Sequence, residues 1–580
     1  MLFNKDELEK IREAKKKWEE EVVQKALARF GAKESPNKYY TPADLPEDFD
    51  FLEKVGFPGQ YPYTTGRYPF IQTATVWGRG SRAGVTTTEL KRAGRYTGFG
   101  TPEDTRDFYK EQRERGLRVG GPNLAFDLPT QTGRDSDDEF SEGEVGKVGV
   151  AVDTLRDMEV ICEAFTGDMD LDKIASNFTI NGSANIIIAM YCALAEKRGI
   201  SLSALRGTPQ NDILKEFVAR GTQIFPVKPS MRMTRDTITF CVENMPNFNI
   251  MSISGYHMRE FGATRTQAIA FTIANAIAYY QLGIEAGLDV DKITRQMTWL
   301  SFGGGMEVLK EYAVRRAAKG VWAKVMRERF KSKDPRNWIY RELGGALQGY
   351  WTATKQRPLN NLTRTVIGAV FSALQGDQPL GAEPPYDEAL GLGHSLEAQQ
   401  LNEDAVRIIL EEAKLAEVLD PFAGSYYIES LTDQYEKEIW EIIEKIDAMG
   451  GAAAAVESGW MKEEIMRSSY EYQQAVDTGR EVRVGINKYT GPEEIEVTTP
   501  RTLPYDPEKR MGAEEKQLEN LKKVKKERDN EKVQACLKRI KEAARDESVN
   551  LIPVFIEAVK EYTSEGEICG VLGEVFGEAM

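Results

Sequence analysis

Residues 250–287, IMSISGYHMREFGATRTQAIAFTIANAIAYYQLGIEAG, decide the fold because they join a short buried strand to a long helix. The apolar run at 250–255 is short enough for a strand, and residues 264–286 have the length and apolar spacing of a helix. A glycine after the strand lets the chain turn. One of only two histidines in the chain, His257, follows that glycine, so a scarce imidazole stands where a strand ends.

The same order of a short apolar segment and a longer helical one recurs along the chain. The other β-like segments are 123–129, 176–182, 222–227, 297–302 and 349–354, and the other helical segments are 183–198, 210–220, 306–330, 362–374, 403–416 and 432–456. Such alternation predicts parallel strands with crossover helices. We predict an α/β protein with a (β/α)8 TIM barrel, which five or six such units favour over an open doubly wound sheet. No GxGxxG or GxxxxGK[ST] motif follows the first strand, which also argues against an open sheet.

The barrel prediction covers residues 71–497, and both flanks differ from it. Region 1–70 begins with a predicted helix at 5–30 and continues as a Pro- and Gly-rich arm. Region 498–580 opens with a Pro-rich linker and goes on as highly charged helical sequence. Because its heptads are not sustained, a docked helical tail is favoured over a coiled coil.

The composition excludes several classes of protein. The 580 residues include 76 Lys and Arg against 91 Asp and Glu, a net charge of −15, which speaks against nucleic-acid binding and against a basic membrane-surface protein. The five cysteines form no close pair, so we expect reduced thiols, no metal site and a cytoplasmic location. No apolar run approaches the length needed to cross a membrane, and the N-terminus has no signal-peptide core.

In a barrel, ligands meet the residues that follow the C-terminal ends of the strands. The polar and aromatic residues at these places are Phe126, Asp127, Asn177, Thr179, Asn181, Gln210, Arg220, Tyr256, His257 and Glu260. They include no GxSxG elbow, no HExxH motif and no cysteine with a histidine base. The acids Asp135 and Asp137 are explained equally well as a catalytic pair or as part of a solvated turn. This inventory suits a reaction in which a cofactor supplies the reactivity and the protein binds and orients.

Structural roles remain open for each candidate from the pattern alone. A lone histidine after a strand is more often hydrogen-bonded than catalytic. Arg220 at a helix end is explained by solvation or by interaction with the helix C-terminus. Tyr96 reads as a packing aromatic, although the glycines around it suggest close approach of the backbone to another group.

Several longer strings, taken together, resemble the methylmalonyl-CoA mutase family. They run in order along nearly the whole chain: GFPGQYPYTTGRYP, YTGFGTPEDTRDFY, LAFDLPTQTGRDSD, GEVGKVGVAVDT, GTPQNDILKEFVARGTQIFPVKPSMR, NIMSISGYHMREFGAT and DPFAGSYYIESLT. The resemblance implies the catalytic, large subunit of an adenosylcobalamin-dependent acyl-CoA mutase, with the CoA chain threaded along the barrel axis. It also implies radical chemistry, in which a deoxyadenosyl radical takes a hydrogen, the thioester group migrates and the hydrogen returns.

The family holds cobalamin at the C-terminal face through a flavodoxin-like domain whose DxHxxG histidine binds cobalt. This chain has no DxHxxG motif, and His394 in GLGHSLEAQ does not match it. The resemblance therefore implies a separate small cobalamin-binding subunit and a heteromer, such as a heterotetramer.

The resemblance also assigns roles to individual residues. It implies that His257 donates a hydrogen bond to the thioester carbonyl, that Tyr96 lies between the adenosyl group and the substrate, and that Arg220 pairs with a free carboxylate of the acyl group. The remaining implied substrate contacts are Tyr68, Asn177, Thr179 and Gln210, and the implied cofactor contacts are Gly98, Phe126, Glu260 and Glu412.

Tyr96 and Arg220 together favour a carboxylated acyl-CoA, of the methylmalonyl-CoA and succinyl-CoA type. The isobutyryl- and 2-hydroxyisobutyryl-CoA mutases, which are the alternative, replace both residues, and a buried guanidinium without an anion would be costly. The stretch 73–99 departs from the family pattern for CoA contacts, which keeps a non-catalytic CoA-binding assembly subunit open. Glycines at 303–305 replace bulkier family residues and suggest a larger acyl pocket, and thus a bulkier substituted succinyl- or malonyl-CoA.

Overall fold

The computed structural model describes residues 4–30, 40–46, 49–67, 97–114, 120–300, 303–343, 350–375, 386, 396–491 and 507–579. Within these ranges, six short strands form two parallel three-stranded sheets, each in chain order. The strands are β1 (Asn123–Ala125), β2 (Ser176–Thr179), β3 (Gly207–Pro209), β4 (Met251–Ser254), β5 (Met297–Leu300) and β6 (Glu342–Leu343).

The two sheets are linked where β3 approaches β4. A parallel bridge pairs Gly207 with Phe248, and the backbone N–H of Ser252 donates to the carbonyl of Gln210 over 3.0 Å. The strands thus follow one another in a single parallel series, and their C-terminal ends lie on the same side.

Helices surround this series and connect its strands. In the first half of the chain they are α1 (Lys5–Trp18), α2 (Gln24–Phe30), α3 (Phe51–Lys54), α4 (Pro102–Glu114), α5 (Leu128–Gln131), α6 (Leu155–Cys162), α7 (Ala184–Lys197), α8 (Ile213–Lys215), α9 (Val227–Asn244), α10 (Tyr256–Glu260), α11 (Arg265–Glu285) and α12 (Val290–Arg295). In the second half they are α13 (Val308–Lys324), α14 (Asn360–Gln375), α15 (Leu396–Arg407), α16 (Tyr426–Ala448), α17 (Ala452–Glu457), α18 (Trp460–Asp477), α19 (Pro507–Glu527), α20 (Asn530–Arg545), α21 (Leu551–Lys560) and α22 (Glu565–Phe576). Wider π-helical turns follow α1, α8, α13 and α15, at Glu19–Val23, Glu216–Arg220, Val325–Arg329 and Ile408–Glu412.

Two of the predicted strands are wrong. Residues 222–227 are irregular up to the start of α9, and the described part of 349–354 contains a 3-10 turn at Tyr350–Thr352. The third and sixth strands are instead β3 and β6. Residues 222–227 look like a strand because they are apolar, but a helix from the C-terminal tail covers them: the rings of Phe225 and Phe576 lie 5.6 Å apart.

The other predicted strands contain β1, β2, β4 and β5, and the helical prediction at 264–286 matches α11. The described chain is thus a helix-rich α/β structure with small parallel sheets, and the closed eight-stranded barrel goes beyond these six strands. Helix α11 is apolar on nearly every face and largely buried, as expected for a helix packed on all sides. No helix in the described ranges has the length and apolar character to span a membrane.

The C-terminal helices dock on the α/β body through both ends of their dipoles. From α9, Arg232 Nη2 donates to the carbonyl of Ala543, in the last turn of α20, over 2.9 Å. Asp236, one turn further along α9, accepts from the backbone N–H of Leu551 at the start of α21 over 3.1 Å. A cation at a helix C-terminus and an anion at a helix N-terminus both match the helix dipole.

Carboxyl groups are buried between the tail and the body. Asp153 accepts from Gln517 Nε2 over 2.6 Å, and its carbonyl accepts from the backbone N–H of Glu565 over 2.8 Å. Burial raises the pKa of Asp157 to about 6, and burial followed by repulsion from Asp157 and Asp135 raises the pKa of Asp153 well above its usual value. Docking of the tail therefore favours protonated acids at this junction.

A buried ion network fastens α13 to the segment before α16. Arg316 is completely buried and pairs with Asp420 and, over 2.7 Å, with Glu429. Tyr312 donates to the same Asp420 carboxylate. These acids lie in the string DPFAGSYYIES, so the structure gives that string a structural role.

Arg316→Met should destabilise the fold by about 3–5 kcal/mol, because it leaves two buried carboxylates without their cation. The denaturant midpoint, followed by circular dichroism, would register this as a clear drop. Arg336→Met is the matched control, since the exposed pair of Arg336 with Asp334 should be dispensable. Equal midpoints for the two variants would contradict the role given to Arg316.

Candidate active site

His257 lies in α10, directly after the end of β4, with its side chain partly buried. Its Nδ1 is 3.2 Å from Ser254 Oγ, and its Nε2 is 3.5 Å from Arg220 Nη1, too far for a strong hydrogen bond. Burial, then the positive charges of Lys215 and Arg220, lowers the pKa of His257 well below its usual value. The imidazole is therefore neutral near pH 7, with one nitrogen as donor and the other as acceptor.

Arg220 stands at the end of the π-helical turn after α8, which Gly221 closes in the left-handed conformation with φ of 78°. Its Nη2 donates to Gln131 Oε1 over 2.8 Å, and its Nε is 3.9 Å from Glu216 Oε2. The side chain is 27% exposed. The protein thus holds one edge of the guanidinium and leaves the group accessible to an anion.

Gln131 is a site residue that sequence reasoning missed. It is buried in the last position of α5, where its Nε2 donates to the carbonyl of Phe126 over 2.6 Å while its Oε1 accepts from Arg220. The signal was present, because α5 follows the end of β1 and Arg220 follows the end of β3. The contact itself spans 89 positions, and no local pattern specifies it.

Gln210 has a defined amide orientation. Its Oε1 accepts from Asn181 Nδ2 over 3.0 Å and lies 3.5 Å from Lys215 Nζ. Lys215 is completely buried and paired with the equally buried Glu216. Because two donors face the amide oxygen, the NH2 group of Gln210 is the end left to meet a ligand.

Asp212 connects the ends of β2, β3 and β4. Its backbone N–H donates to Asn181 Oδ1 over 3.0 Å, and its carboxylate accepts from the backbone N–H of Ser254 over 2.8 Å and from Tyr279 OH over 2.6 Å. The carboxylate is completely buried, and burial raises its pKa. Asp212 thus fixes Asn181, which binds Gln210, relative to Ser254, which binds His257.

Polar side chains continue from this site along the strands. In the strand register, Asn123 pairs with Asn177, and Asn177 pairs with Thr208. Asn177 and Thr179 alternate with fully buried neighbours and are themselves only partly buried. On β4, the buried Ser252 Oγ has no hydrogen-bond partner in the described structure. The strands therefore offer polar groups to a ligand over two or more residues of their length.

The residues predicted to contact the cofactor differ in how far they are buried. Gly98 has φ of 121°, and a Cβ there would lie 2.2 Å from the carbonyl oxygen of Ala125, so only glycine fits beside β1. The ring of Phe126 is completely buried and packs near Phe178, at 6.2 Å between centroids. Glu260 is partly buried at the end of α10.

Glu412 is exposed at the end of the segment after α15, and no described contact joins it to the residues around His257. Tyr68, Tyr96 and His394 lie outside the described residues. Within those ranges, no group of three or more His, Cys, Asp or Glu side chains is placed to hold a metal ion.

The glycine run at 303–305 is closely packed. The Trp351 indole donates to the carbonyl of Gly304 over 2.6 Å, and a Cβ on Gly305 would lie 3.3 Å from the same ring. A Cβ on Gly303 would lie 3.2 Å from Arg259 Cβ. Trp351 and Arg259 thus occupy the space that larger side chains would fill, which weakens the argument for a larger acyl pocket.

Comparisons with known proteins give a consistent result. The family model described as Methylmalonyl-CoA mutase matches residues 32–578. The 2-hydroxyisobutanoyl-CoA mutase large subunit of Aquincola tertiaricarbonis is 37% identical over 582 residues, which cover 98% of this chain and 97% of that subunit. Methylmalonyl-CoA mutase of Escherichia coli (strain K12) is 38% identical over 538 residues, covering 93% of this chain and 70% of the relative. The mitochondrial methylmalonyl-CoA mutase of Homo sapiens is 35% identical over 535 residues, covering 92% and 66%.

His257 should stay neutral well below pH 6.5, and Arg220→Gln should raise its pKa because a nearby positive charge is removed. NMR of the histidine-labelled chain measures this, with His394→Gln as the background so that one histidine gives the signal. Titration of His257 near pH 6.5 in the otherwise unchanged chain would contradict the electrostatics described.

Proposed function

The chain belongs to the methylmalonyl-CoA mutase family, and from that membership we propose that it is the catalytic subunit of an adenosylcobalamin-dependent mutase acting on a carboxylated acyl-CoA. The substrate class is methylmalonyl-CoA or succinyl-CoA. The observation that carries this choice is Arg220, a partly exposed guanidinium held by Gln131 within 3.5 Å of His257.

Charge distinguishes the two kinds of relative. A carboxylate at the acyl end would pair with Arg220, in a bidentate or single charge-assisted hydrogen bond. A 2-hydroxyisobutanoyl or isobutyryl group carries no such charge, and it would leave the edge of the guanidinium that does not meet Glu216 facing a neutral group in a partly desolvated site. Arg220 therefore favours the carboxylated substrate over that of the Aquincola tertiaricarbonis relative.

A non-catalytic assembly subunit is the less favoured reading. CoA binding alone would not require Arg220, Gln210 and His257 to converge on one point. The buried pair of Lys215 and Glu216 lies next to these residues, and burying two charges costs free energy. An acyl site that requires a fixed geometry explains why the chain keeps this costly pair.

The acyl-CoA would lie along a (β/α)8 barrel axis, as the family implies. Six parallel strands in chain order support such a barrel. The partly buried row of Asn123, Asn177 and Thr208, and the Ser252 Oγ, which has no partner among the described residues, supply hydrogen-bonding groups suited to the amide-rich pantetheine arm of CoA. An unsatisfied buried hydroxyl is costly, and a ligand amide would satisfy it.

The protein's part in the reaction is to bind and orient. A hydrogen bond from Ser254 Oγ–H to Nδ1 of His257 would place the imidazole proton on Nε2, a tautomer that also requires the donor Arg220 Nη1, 3.5 Å away, to turn toward the carboxylate. From there the neutral ring would donate to the thioester carbonyl oxygen, while Arg220 holds the carboxylate and the Gln210 amide binds nearby. Two fixed ends on one substrate limit its motion, which favours migration of the held group over escape of a reactive species.

The residues at the C-terminal ends of the strands fit a large, flat cofactor such as cobalamin. The segment that follows β1 exposes three apolar side chains, Leu128 at 39%, Phe140 at 70% and Val148 at 60%. Gly98 and Glu260, which are partly buried, are the residues that would face the group, and the completely buried ring of Phe126 would contribute only indirectly. When bound, adenosylcobalamin supplies the radical chemistry. The large-subunit relative, matched over 97% of its length, supports a separate small subunit. That subunit would bind cobalamin, in a heteromer such as a heterotetramer.

Removal of the imidazole tests the role of His257. His257→Ala should lower kcat with succinyl-CoA about 10²- to 10³-fold, since a positioned hydrogen-bond donor is lost, while the melting temperature stays unchanged. The assay uses the holoenzyme reconstituted with its cobalamin-binding subunit. His394→Ala is the control histidine change and should leave kcat unchanged. A His257→Ala enzyme with near wild-type turnover would remove the assigned role.

Removal of the guanidinium tests the substrate class. Arg220→Gln should raise KM for succinyl-CoA about 10- to 100-fold through loss of a charged hydrogen bond. Competitive inhibition by butyryl-CoA, which has no free carboxylate, should not weaken. Arg336→Gln, in an exposed pair far along the chain, is the matched control. Equal turnover of succinyl-CoA and isobutyryl-CoA by the wild type would overturn the carboxylate assignment.

A further inference from the structure

The last helix, α22, lies against both loops that carry the Arg220 contact. Gln131 ends α5, just before the loop of residues 132–135, and Arg220 precedes the loop that contains Ile224. These loops meet at Gly133, where a Cβ would lie 2.6 Å from Cys569 Sγ of α22 and 2.7 Å from Ile224 Cδ1. The three residues are in tight contact, so neither loop can move toward the other without displacing the helix.

Hydrogen bonds tie the first loop to the N-terminus of α22. Asp135 Oδ2 accepts from Ser564 Oγ over 2.6 Å, and its Oδ1 accepts from the backbone N–H of Gly566 over 2.7 Å. Lys525 from α19 pairs with the same carboxylate over 2.9 Å. The carboxylate is buried, and loss of these donors would leave it unsatisfied.

The second loop is held at the other end of the same helix. The backbone N–H of Ala579 donates to the carbonyl of Ile224 over 3.0 Å, and the ring of Phe576 packs against Phe225. One rigid helix thus contacts the loop that follows Gln131 and the loop that follows Arg220.

The first loop is short and internally bonded. The backbone N–H of Arg134 donates to the carbonyl of Pro129 over 3.0 Å, and that of Thr132 donates to the carbonyl of Leu128 over 3.0 Å. A shift imposed at Asp135 therefore reaches Gln131, and through its 2.8 Å hydrogen bond the guanidinium of Arg220.

We propose that α22 is a positioning element for the carboxylate-binding arginine, and that Ser564, Gly566 and Cys569 set the affinity for the acyl carboxylate without touching the substrate. The proposal rests on the proposed function, since it assigns a means of control to the same site. It also predicts that only ligands with a free carboxylate respond to changes in this helix.

Two glycines of α22 provide a matched pair of variants. A Cβ at Gly566 would lie 2.7 Å from the backbone nitrogen and the Cγ of Asp135, whereas a Cβ at Gly570 would meet no atom of the described residues within 4 Å. Neither glycine has a positive φ, so alanine fits the backbone conformation at both positions. Only Gly566→Ala pushes the helix away from the loop that follows Gln131.

The test measures KM for succinyl-CoA, kcat and the Ki of butyryl-CoA in the reconstituted holoenzyme. Gly566→Ala should raise KM about three- to tenfold, the effect of one hydrogen bond, with kcat and the Ki of butyryl-CoA unchanged, because carboxylate binding contributes equally to ground state and transition state. Gly570→Ala should match the wild type. Ser564→Ala removes a hydrogen-bond donor to Asp135 and adds no atoms, and it should also raise KM. It is the replacement test if Gly566→Ala does not fold.

The outcomes separate this proposal from the one on which it rests. If Arg220→Gln raises KM but Gly566→Ala and Ser564→Ala do not, the positioning role is wrong and the carboxylate site stands. If the helix variants raise KM for succinyl-CoA and the Ki of butyryl-CoA alike, α22 affects ligand binding without regard to the carboxylate, and the proposal fails. If Arg220→Gln leaves KM unchanged, the carboxylate site itself is wrong, and with it the positioning role.

Discussion

A single buried residue, Asp212, keeps the parts of the site at fixed separations. The backbone N–H of Asp212 binds Asn181, and its carboxylate binds Ser254 and Tyr279. These partners come from the ends of two strands and from the long helix α11. Because every group is shielded from water, a shift of one strand relative to another would leave a polar atom unsatisfied. The geometry around the imidazole is thus a property of the strand arrangement, and local loop structure only refines it.

Positive charge in this region is divided between a buried residue and an accessible one. Lys215 is enclosed with Glu216, and Arg220 is the cation that meets solvent. Together they disfavour a third positive charge, which leaves the imidazole of His257 neutral. In the proposed site, recognition of charge and recognition of a carbonyl oxygen would therefore be carried by different side chains, Arg220 and the neutral His257.

The sequence predicts those features that depend on local order. A strand, a glycine and a histidine in succession place His257 at the end of β4, and the periodicity of 264–286 predicts α11. Gln131 escapes such reasoning because its partner Arg220 lies 89 positions away. Ile224 and Phe225 suggest a strand because they are apolar, and only the position of α22 shows why they are buried. The glycines at 303–305 suggest empty space that Trp351 fills from a distant part of the chain.

The contact of Gly133, Ile224 and Cys569 has a consequence for how such proteins diverge. The residues from Gln131 to His257 form one contiguous part of the gene, whereas α22 is encoded far downstream of them. A genetic exchange confined to the first part would bring in new loops around Gln131 and Arg220 but retain the old helix behind them. Chimeras between members of this family should then inherit their preference among acyl groups faithfully only when both parts come from the same parent.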